Sequence, residues 1–536
     1  MTEGLTGRER RWLLQLSSVV LLLTVAPLVV AALATPPRDT FGGFVYEARD
    51  GVSYIAKTVE GVEGRWLYHD PYTTEPHAAS LIYAPYLALG QLDRVLHLPV
   101  PVLLHLTRLA LAATLLWAAY RLCQAGGASL GQRRLAFILV LFGAGIGLFG
   151  RHYQILGYHY VSLDTEVSGT VGFDALNLAP HVLLACLGSA WLALIWSARA
   201  SAGRWRDVLA VFIVTLLISS AYPQMAVMWA VIGLLVALLN WVVGSRWGVV
   251  LAGAGVAGAI PYLVYGLYLK SNSPVFASWP PVGDIDIGDV FSYVLFAHVV
   301  MLPFVVIAVG DLARRLWRRR PEPSDQALTV LAVWAIVSAS LMYAPGLPSV
   351  MHRLYYGSFI AFGVLASAGL WRFLEGRSRR MRGRLLVYGT ALMCMSGVAA
   401  IGEGYTTPLL HRDDFALYFP LDEATLFSKL QQQSAAGGKV VMSSYLSGLY
   451  VPALSGQTAY LGFPFETINT TAKAETAARF YRLHDGAALR VEASRLHLDY
   501  VLWGTYEAGY GGEDPGPLAE WPVQFAAGEA RLYRVR

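Results

Sequence analysis

Runs of near-continuous apolar residues, each about 17–25 long, recur along the chain, and that is the length a helix needs to cross the hydrocarbon core of a bilayer. Within lipid every backbone polar group must find its partner inside the segment, so such a chain folds as a bundle of helices. The composition agrees. Of 536 residues, 55% are hydrophobic and only 14% charged, whereas soluble proteins carry about 25% charged residues. The first run, Trp12–Ala34, follows Arg8, Arg10 and Arg11, the flank of a secretory signal. It is too long for a signal core and "ATPPRD" is a poor cleavage site, so it reads as a retained helix.

Arginine sets the expected topology. Clusters at Arg8–Arg11, Arg121–Arg134, Arg199–Arg206, Arg246, Arg314–Arg320 and Arg377–Arg384 alternate with connections that hold carboxylates. Basic residues stay on the cytoplasmic side. The spans that obey this rule are 12–34, 101–122, 135–150, 176–198, 208–221, 223–243, 247–269, 291–311, 327–345, 351–373 and 385–402. The expected fold class is thus a polytopic α-helical membrane protein of about eleven spans, N-terminus in the cytoplasm and C-terminus outside. The segment 78–98 must not cross, or every later cluster would change sides. It is read as a helix lying on the outer surface, apolar face down. The net charge of +5 then reports orientation and gives no reason to expect a nucleic-acid partner. Cys123, Cys186 and Cys394 lie in or beside apolar runs, with no disulfide framework and no CxxC site. Walker, HExxH and dinucleotide motifs are absent.

The expected domains are a membrane part, 1–402, with a large outer loop at 35–100, and an extracytoplasmic α/β domain at 403–536. In that tail "KVVMSS", "TAYLG" and "DYVLWG" read as short buried strands. "TAKAETAARFYRL" and "GAALRVEASRLH" read as helices, and "VQFAAGEARLYRV" as a hairpin turned at Ala527-Gly528. The sequon at Asn469-Thr470-Thr471 matters only in a secretory pathway.

Several polar residues gather on the outer side. Asp50 heads the helix "DGVSYIAKTVEG" and reads both as an N-cap and as an ionised base, two roles that are compatible. Asp164 and Glu166 form a D-x-E pair in the next outer loop, suited to a hard cation or to solvent. Asp174, Asn177 and His181 follow at the entrance of a span, where an ionisable group faces a bundle interior or a cavity. Arg353, beside His352, opens a span on the side that is otherwise poor in arginine. A phosphate or a carboxylate would suit its fork. "YPQM", 222–225, reads as a tight turn and "DIDIGD", 284–289, as a solvated loop.

The stretch 50–122, with "VPALSGQTAYLGFPFETIN" and "DYVLWGTYE" in the tail, resembles the GT-C superfamily of integral membrane glycosyltransferases. That group includes the oligosaccharyltransferase catalytic subunit, protein mannosyltransferases and lipid A aminoarabinose transferase. The resemblance implies transfer of a sugar from a polyprenyl-phosphate donor to a glycan, lipid or protein acceptor, on the outer face of the cytoplasmic membrane. It puts Asp50 in the place of the first-loop catalytic acid. Asp164 and Glu166 take the place of a second-loop motif that binds a divalent metal, Mn²⁺ or Mg²⁺. Arg353, His352, His181 and Asp174 are the expected substrate contacts. Some branches carry paired acids in the first loop; here Gly51 follows Asp50. Two rival classes are a transporter or flippase for a lipid-linked or anionic substrate, and an inactive membrane scaffold. A transporter would hold its polar groups near the midplane, whereas here they collect in outer loops.

Overall fold

The computed structural model describes residues 5–147, 154–155, 158–159, 169–199, 204–242, 247–278, 297–318, 322–342, 353–433, 438–512 and 514–535. Each expected span overlaps a helix. These are Gly7–Ala34, Val100–Gly126, Leu130–Phe142, Pro180–Arg199, Trp205–Ala221, Pro223–Val242, Trp247–Asn272, Leu302–Trp317, Asp325–Met342, Ser358–Phe373 and Arg379–Leu410. Among the described residues, 6 helices are long and apolar enough to cross a membrane, and Asp325–Leu341 and Ser358–Phe373 are shorter apolar ones. The chain is a multi-pass helical membrane protein.

The chain divides into two compact units, the first comprising 1–25, 105–266 and 281–403. Its helix ends are tied by buried polar contacts. Glu9, near the start of Gly7–Ala34, is buried; it accepts a 2.6 Å hydrogen bond from the Tyr120 hydroxyl and lies 3.6 Å from Arg133. Tyr120 stands near the end of one helix and Arg133 near the start of the next, so all three termini share one side. A second tie joins three more ends: Arg315 bonds Asp325 at 2.6 Å and also Asp311, and Arg372 reaches Asp311 at 3.3 Å. The arginines that bias topology therefore also pin helix ends. Where helices touch closely, glycine makes it possible. A Cβ at Gly363 would lie 2.7 Å from the Val140 nitrogen, as expected for membrane helices that pack through small residues.

The second unit comprises 26–104, 267–280 and 404–536. Here the loop 35–100 and the tail share one core. Strand Asp39–Phe41 pairs antiparallel with Tyr418–Pro420. Phe44, Val52, Ile55, Val59 and Tyr86 of the loop pack in one cluster with Phe419, Phe427, Tyr450, Leu502 and Leu532 of the tail. The helix expected at 78–98 runs only from Ala84 to Leu96, because Ser80 pairs back onto Tyr68 as an isolated bridge and Pro85 favours a start there. At 1.5 Å per residue it is about 20 Å long, too short to span. It lies against Ala48–Val62 backbone to backbone, since a Cβ on Gly61 would sit 2.9 Å from the Gly90 Cα. Its other face exposes Leu92, Val95 and Leu96.

The tail's strands form one sheet in the order Thr458–Ala459, Val440–Met442, Tyr500–Trp503, Ala530–Arg534, Val523–Ala527. The first three are parallel and the last two antiparallel. Side chains alternate between its faces. Tyr500 and Leu502 join the core shared with the loop, while Val501 and Trp503 pack with Phe480 and Leu489 from the helices Thr470–Tyr481 and Gly486–Arg495. The expected closing hairpin is present, with Gly528 at φ +49° in its turn.

Candidate active site

The helix that carries Asp50 runs from Ala48 to Val62, and its N-cap position is Glu47, in the left-handed region at φ 48° and without a side-chain cap bond. Asp50 is therefore not the cap. It stands inside the first turn, where the positive end of the helix dipole favours a carboxylate. It is partly exposed. Arg49 stacks over the Phe415 ring at 5.0 Å and hydrogen-bonds the hydroxyl of Tyr445. Burial raises the Tyr445 phenol above its ordinary value, Arg49 opposes that shift, and the charge of Asp50 adds to it. A tail residue thus sits within the field of the loop carboxylate. Gly51 explains why no second acid follows: a Cβ there would overlap the Phe44 ring.

The polar run behind Asp50 docks the loop. The carboxylate of Asp70, a fully buried residue, accepts the Tyr72 amide at 2.9 Å. His77 Nε2 accepts the Asp70 amide at 2.9 Å, and its Nδ1 lies 2.8 Å from the Glu75 carbonyl. This fixes the neutral ring protonated at Nδ1. His69 stacks on it at 4.1 Å and is pushed down to about 4, by burial first and then by His77 and Arg65. Tyr72 donates to the Leu449 carbonyl at 3.0 Å, and Lys473 pairs with Glu75 at 2.7 Å. These last two contacts join loop to tail.

In the first unit, two expected residues meet on Tyr222, in the segment expected to turn the chain. His181 lies 4.9 Å from the Tyr222 ring, and the Arg353 guanidinium sits 5.5 Å from that same ring. Tyr222 ends Trp205–Ala221, so "YPQM" does more than turn the chain. Asp174 accepts the Gly169 amide at 2.7 Å. Its carboxyl is pushed up to about 6 by burial, with Glu403 adding to the shift. Asn177 donates to the Phe173 carbonyl at 3.1 Å. His352, Asp164 and Glu166 lie outside the described residues, as does "DIDIGD". Among the described residues no group of three or more metal-ligating side chains is placed to hold an ion.

Arg108 is a polar residue that the sequence reading passes over. It is buried within Val100–Gly126, with Nη1 donating to the Leu176 carbonyl at 2.9 Å and Nε to His105 at 3.3 Å. The signal was available: a lone charge inside "VPVLLHLTRLALAA" is costly in lipid and marks function by default.

No protein-family model matches the chain, and no curated protein sequence does either. Solved structures do. The archaeal oligosaccharyltransferase AglB from Archaeoglobus fulgidus, in complex with an inhibitory peptide and a dolichol-phosphate, aligns at TM-score 0.53 and 13% identity over 93% of this chain and 70% of that one. The same archaeon's oligosaccharyltransferase tethered to an acceptor peptide aligns at 0.51 and 14% over 96% and 72%. Arabinofuranosyltransferase AftD from Mycobacteria aligns at 0.57 and 15%, over 100% of this chain but 40% of its own. At such identities the likeness is one of fold: the chain shares the fold of these oligosaccharyltransferase and arabinofuranosyltransferase structures.

Proposed function

We propose that the chain is a glycosyltransferase that moves a sugar from a polyprenyl-phosphate donor to an acceptor hydroxyl at the outer face of the cytoplasmic membrane. The observation that carries the reading is Asp50, a partly exposed carboxylate at the head of a loop helix, in a chain of this fold. Asp50 accepts the proton of the acceptor hydroxyl as that oxygen bonds to the sugar's anomeric carbon. The bond from that carbon to the donor phosphate breaks, and its electron pair leaves with the phosphate. A general base in this role typically contributes about a hundred- to ten-thousand-fold. AglB's structure with dolichol-phosphate supports a lipid-phosphate donor. Glycan, lipid and protein acceptors all offer a suitable nucleophile. Mn²⁺ or Mg²⁺ at Asp164 and Glu166 would supply further positive charge to the leaving phosphate.

The test is transfer by the purified chain in liposomes. Polyprenyl-phosphate sugars are expected to support it and water-soluble nucleotide sugars are not; turnover from nucleotide sugars alone would overturn the donor assignment. Chelator added to the same assay reads the metal at Asp164 and Glu166. Inhibition reversed by Mn²⁺ is expected, and indifference to chelator removes the metal.

Arg353 is assigned to the donor phosphate, and Arg353→Lys separates that role from a structural one. Lysine keeps the charge and loses the bidentate fork. Donor affinity is expected to fall by roughly tenfold, the equivalent of one lost charged hydrogen bond, with the donor-free melting temperature unchanged. A lower melting temperature with unaltered affinity would make Arg353 a structural tie.

A further inference from the structure

Seven residues beyond Asp50, on the same face of the Ala48–Val62 helix by its 3.6-residue period, lies a buried lysine. The Lys57 side chain is 1% exposed, and its ammonium sits 2.8 Å from Glu466, whose side chain is equally buried. Three rings surround that ammonium, Tyr83 at 4.4 Å and Tyr54 and Phe463 at 5.3 Å. Glu466 comes from the tail. It also accepts the hydroxyls of Tyr68 at 2.6 Å and Tyr83 at 2.9 Å, both from the first loop. The carboxylate is therefore held by three charged or phenolic donors at once.

The lysine passes this restraint on. Its Nζ donates to the Ser53 hydroxyl at 3.0 Å, so the Ser53 proton must point elsewhere, and it points to the Asp50 carbonyl at 2.8 Å. Glu466, Lys57, Ser53 and the Asp50 backbone thus form one continuous line of hydrogen bonds through buried side chains. A buried ion pair is weak evidence for stability, because desolvation offsets most of its attraction. Its geometric specificity is what this arrangement uses.

We infer that Lys57 and Glu466 are positioning residues for Asp50: the tail fixes the helical turn that carries the candidate base. The inference rests on the reading of Asp50 as that base. It makes the competence of the first loop depend on a residue of the C-terminal segment that never meets the reacting atoms.

The paired variant Lys57→Met/Glu466→Gln removes both charges, leaves none buried alone and nearly keeps the volume. Ser53→Ala cuts the line one step nearer Asp50, taking one acceptor from Lys57 but leaving the Lys57–Glu466 ion pair in place, and so carries the test where the paired variant does not fold. In full-length protein in liposomes, each is expected to lower kcat for transfer at least tenfold, with KM for donor and acceptor within twofold of wild type. Amide hydrogen exchange at residues 51–54 is expected to quicken at least tenfold, while the Tyr500–Trp503 strand keeps its protection. Unchanged kcat, or unchanged exchange at 51–54, overturns the positioning role. A wild type that transfers no sugar, with exchange still quickened in the variants, ends the transferase reading and leaves the positioning in place.

Discussion

Asp50→Asn is expected to lower sugar transfer by about a hundred- to ten-thousand-fold, with membrane insertion and melting temperature close to those of the wild type. Asparagine has the shape of aspartate and retains an acceptor oxygen, but it cannot take a proton from a hydroxyl near neutral pH. Its stability cost is small for a specific reason. Glu47, and not Asp50, occupies the N-cap position, so no capping bond is lost with the charge. The interaction of the carboxylate with the helix dipole, about 0.3–1 kcal/mol at a surface site, goes with the charge. The substitution also leaves intact the bond from Ser53 to the Asp50 carbonyl, because its acceptor is backbone. Initial transfer rates and thermal unfolding in the same detergent would check this. A variant within about threefold of wild type would remove Asp50 from the chemistry, since no base contribution of the usual size could then be present.

The second large effect concerns two glutamates at the carboxyl ends of the parallel strands Val440–Met442 and Tyr500–Trp503. Glu423, from the helix Leu421–Gln433, and Glu507 are both fully buried. Glu423 accepts the Ser447 hydroxyl at 2.8 Å and the Thr505 amide at 2.9 Å, and Glu507 accepts the Ser444 amide at 2.6 Å. No cation is paired with either among the described residues. Burial first, and then the charge of Glu507, pushes Glu423 up to about 8 from 4.5; burial raises Glu507 as well. The folded domain therefore holds a proton that the unfolded chain has already released. Such a group contributes stability that is complete below about pH 4.5 and is lost as the pH rises to about 8. Each pH unit in that window removes at most about 1.4 kcal/mol, which sums to several kcal/mol. The melting temperature of the wild type should fall from pH 5 to pH 8 and then level off. Glu423→Gln, which carries its hydrogens at every pH, should flatten the profile and melt higher than wild type at pH 8. Parallel profiles for the two proteins would mean that Glu423 does not hold its proton in the folded domain.

Much of the fold was legible because its causes are local. A run of apolar residues long enough for lipid can only be a helix there, and each of the eleven expected spans overlaps a helix. The break at Tyr222 between two of them was readable from arginine parity, which a single merged span would break, and Pro223 starts the second helix. The tail's strands, its two later helices and its closing hairpin were readable from period and turn chemistry, each within a dozen residues. Arginine parity is also the ground on which 78–98 is expected to lie on the outer surface.

The candidate site was legible only as a set of residue types. The sequence by itself marks Asp50 as an acid near a helix start and Arg353 as a cation out of place. It offers no means of telling that Glu47 takes the cap, that Tyr222 gathers His181 and Arg353, or that Arg108 is sealed inside its helix by the Leu176 carbonyl. In the sequence Lys57 is one polar residue among several in 50–61, and Glu466 one acid of the tail. Only tertiary structure made them partners, and with them made the loop and the tail one core. The physical reason is that a helix or a hairpin is stabilised by neighbours along the chain, whose spacing the sequence prints. A buried ion pair is stabilised by the closure of two distant segments around it, and that closure depends on the packing of every aromatic and aliphatic side chain between them.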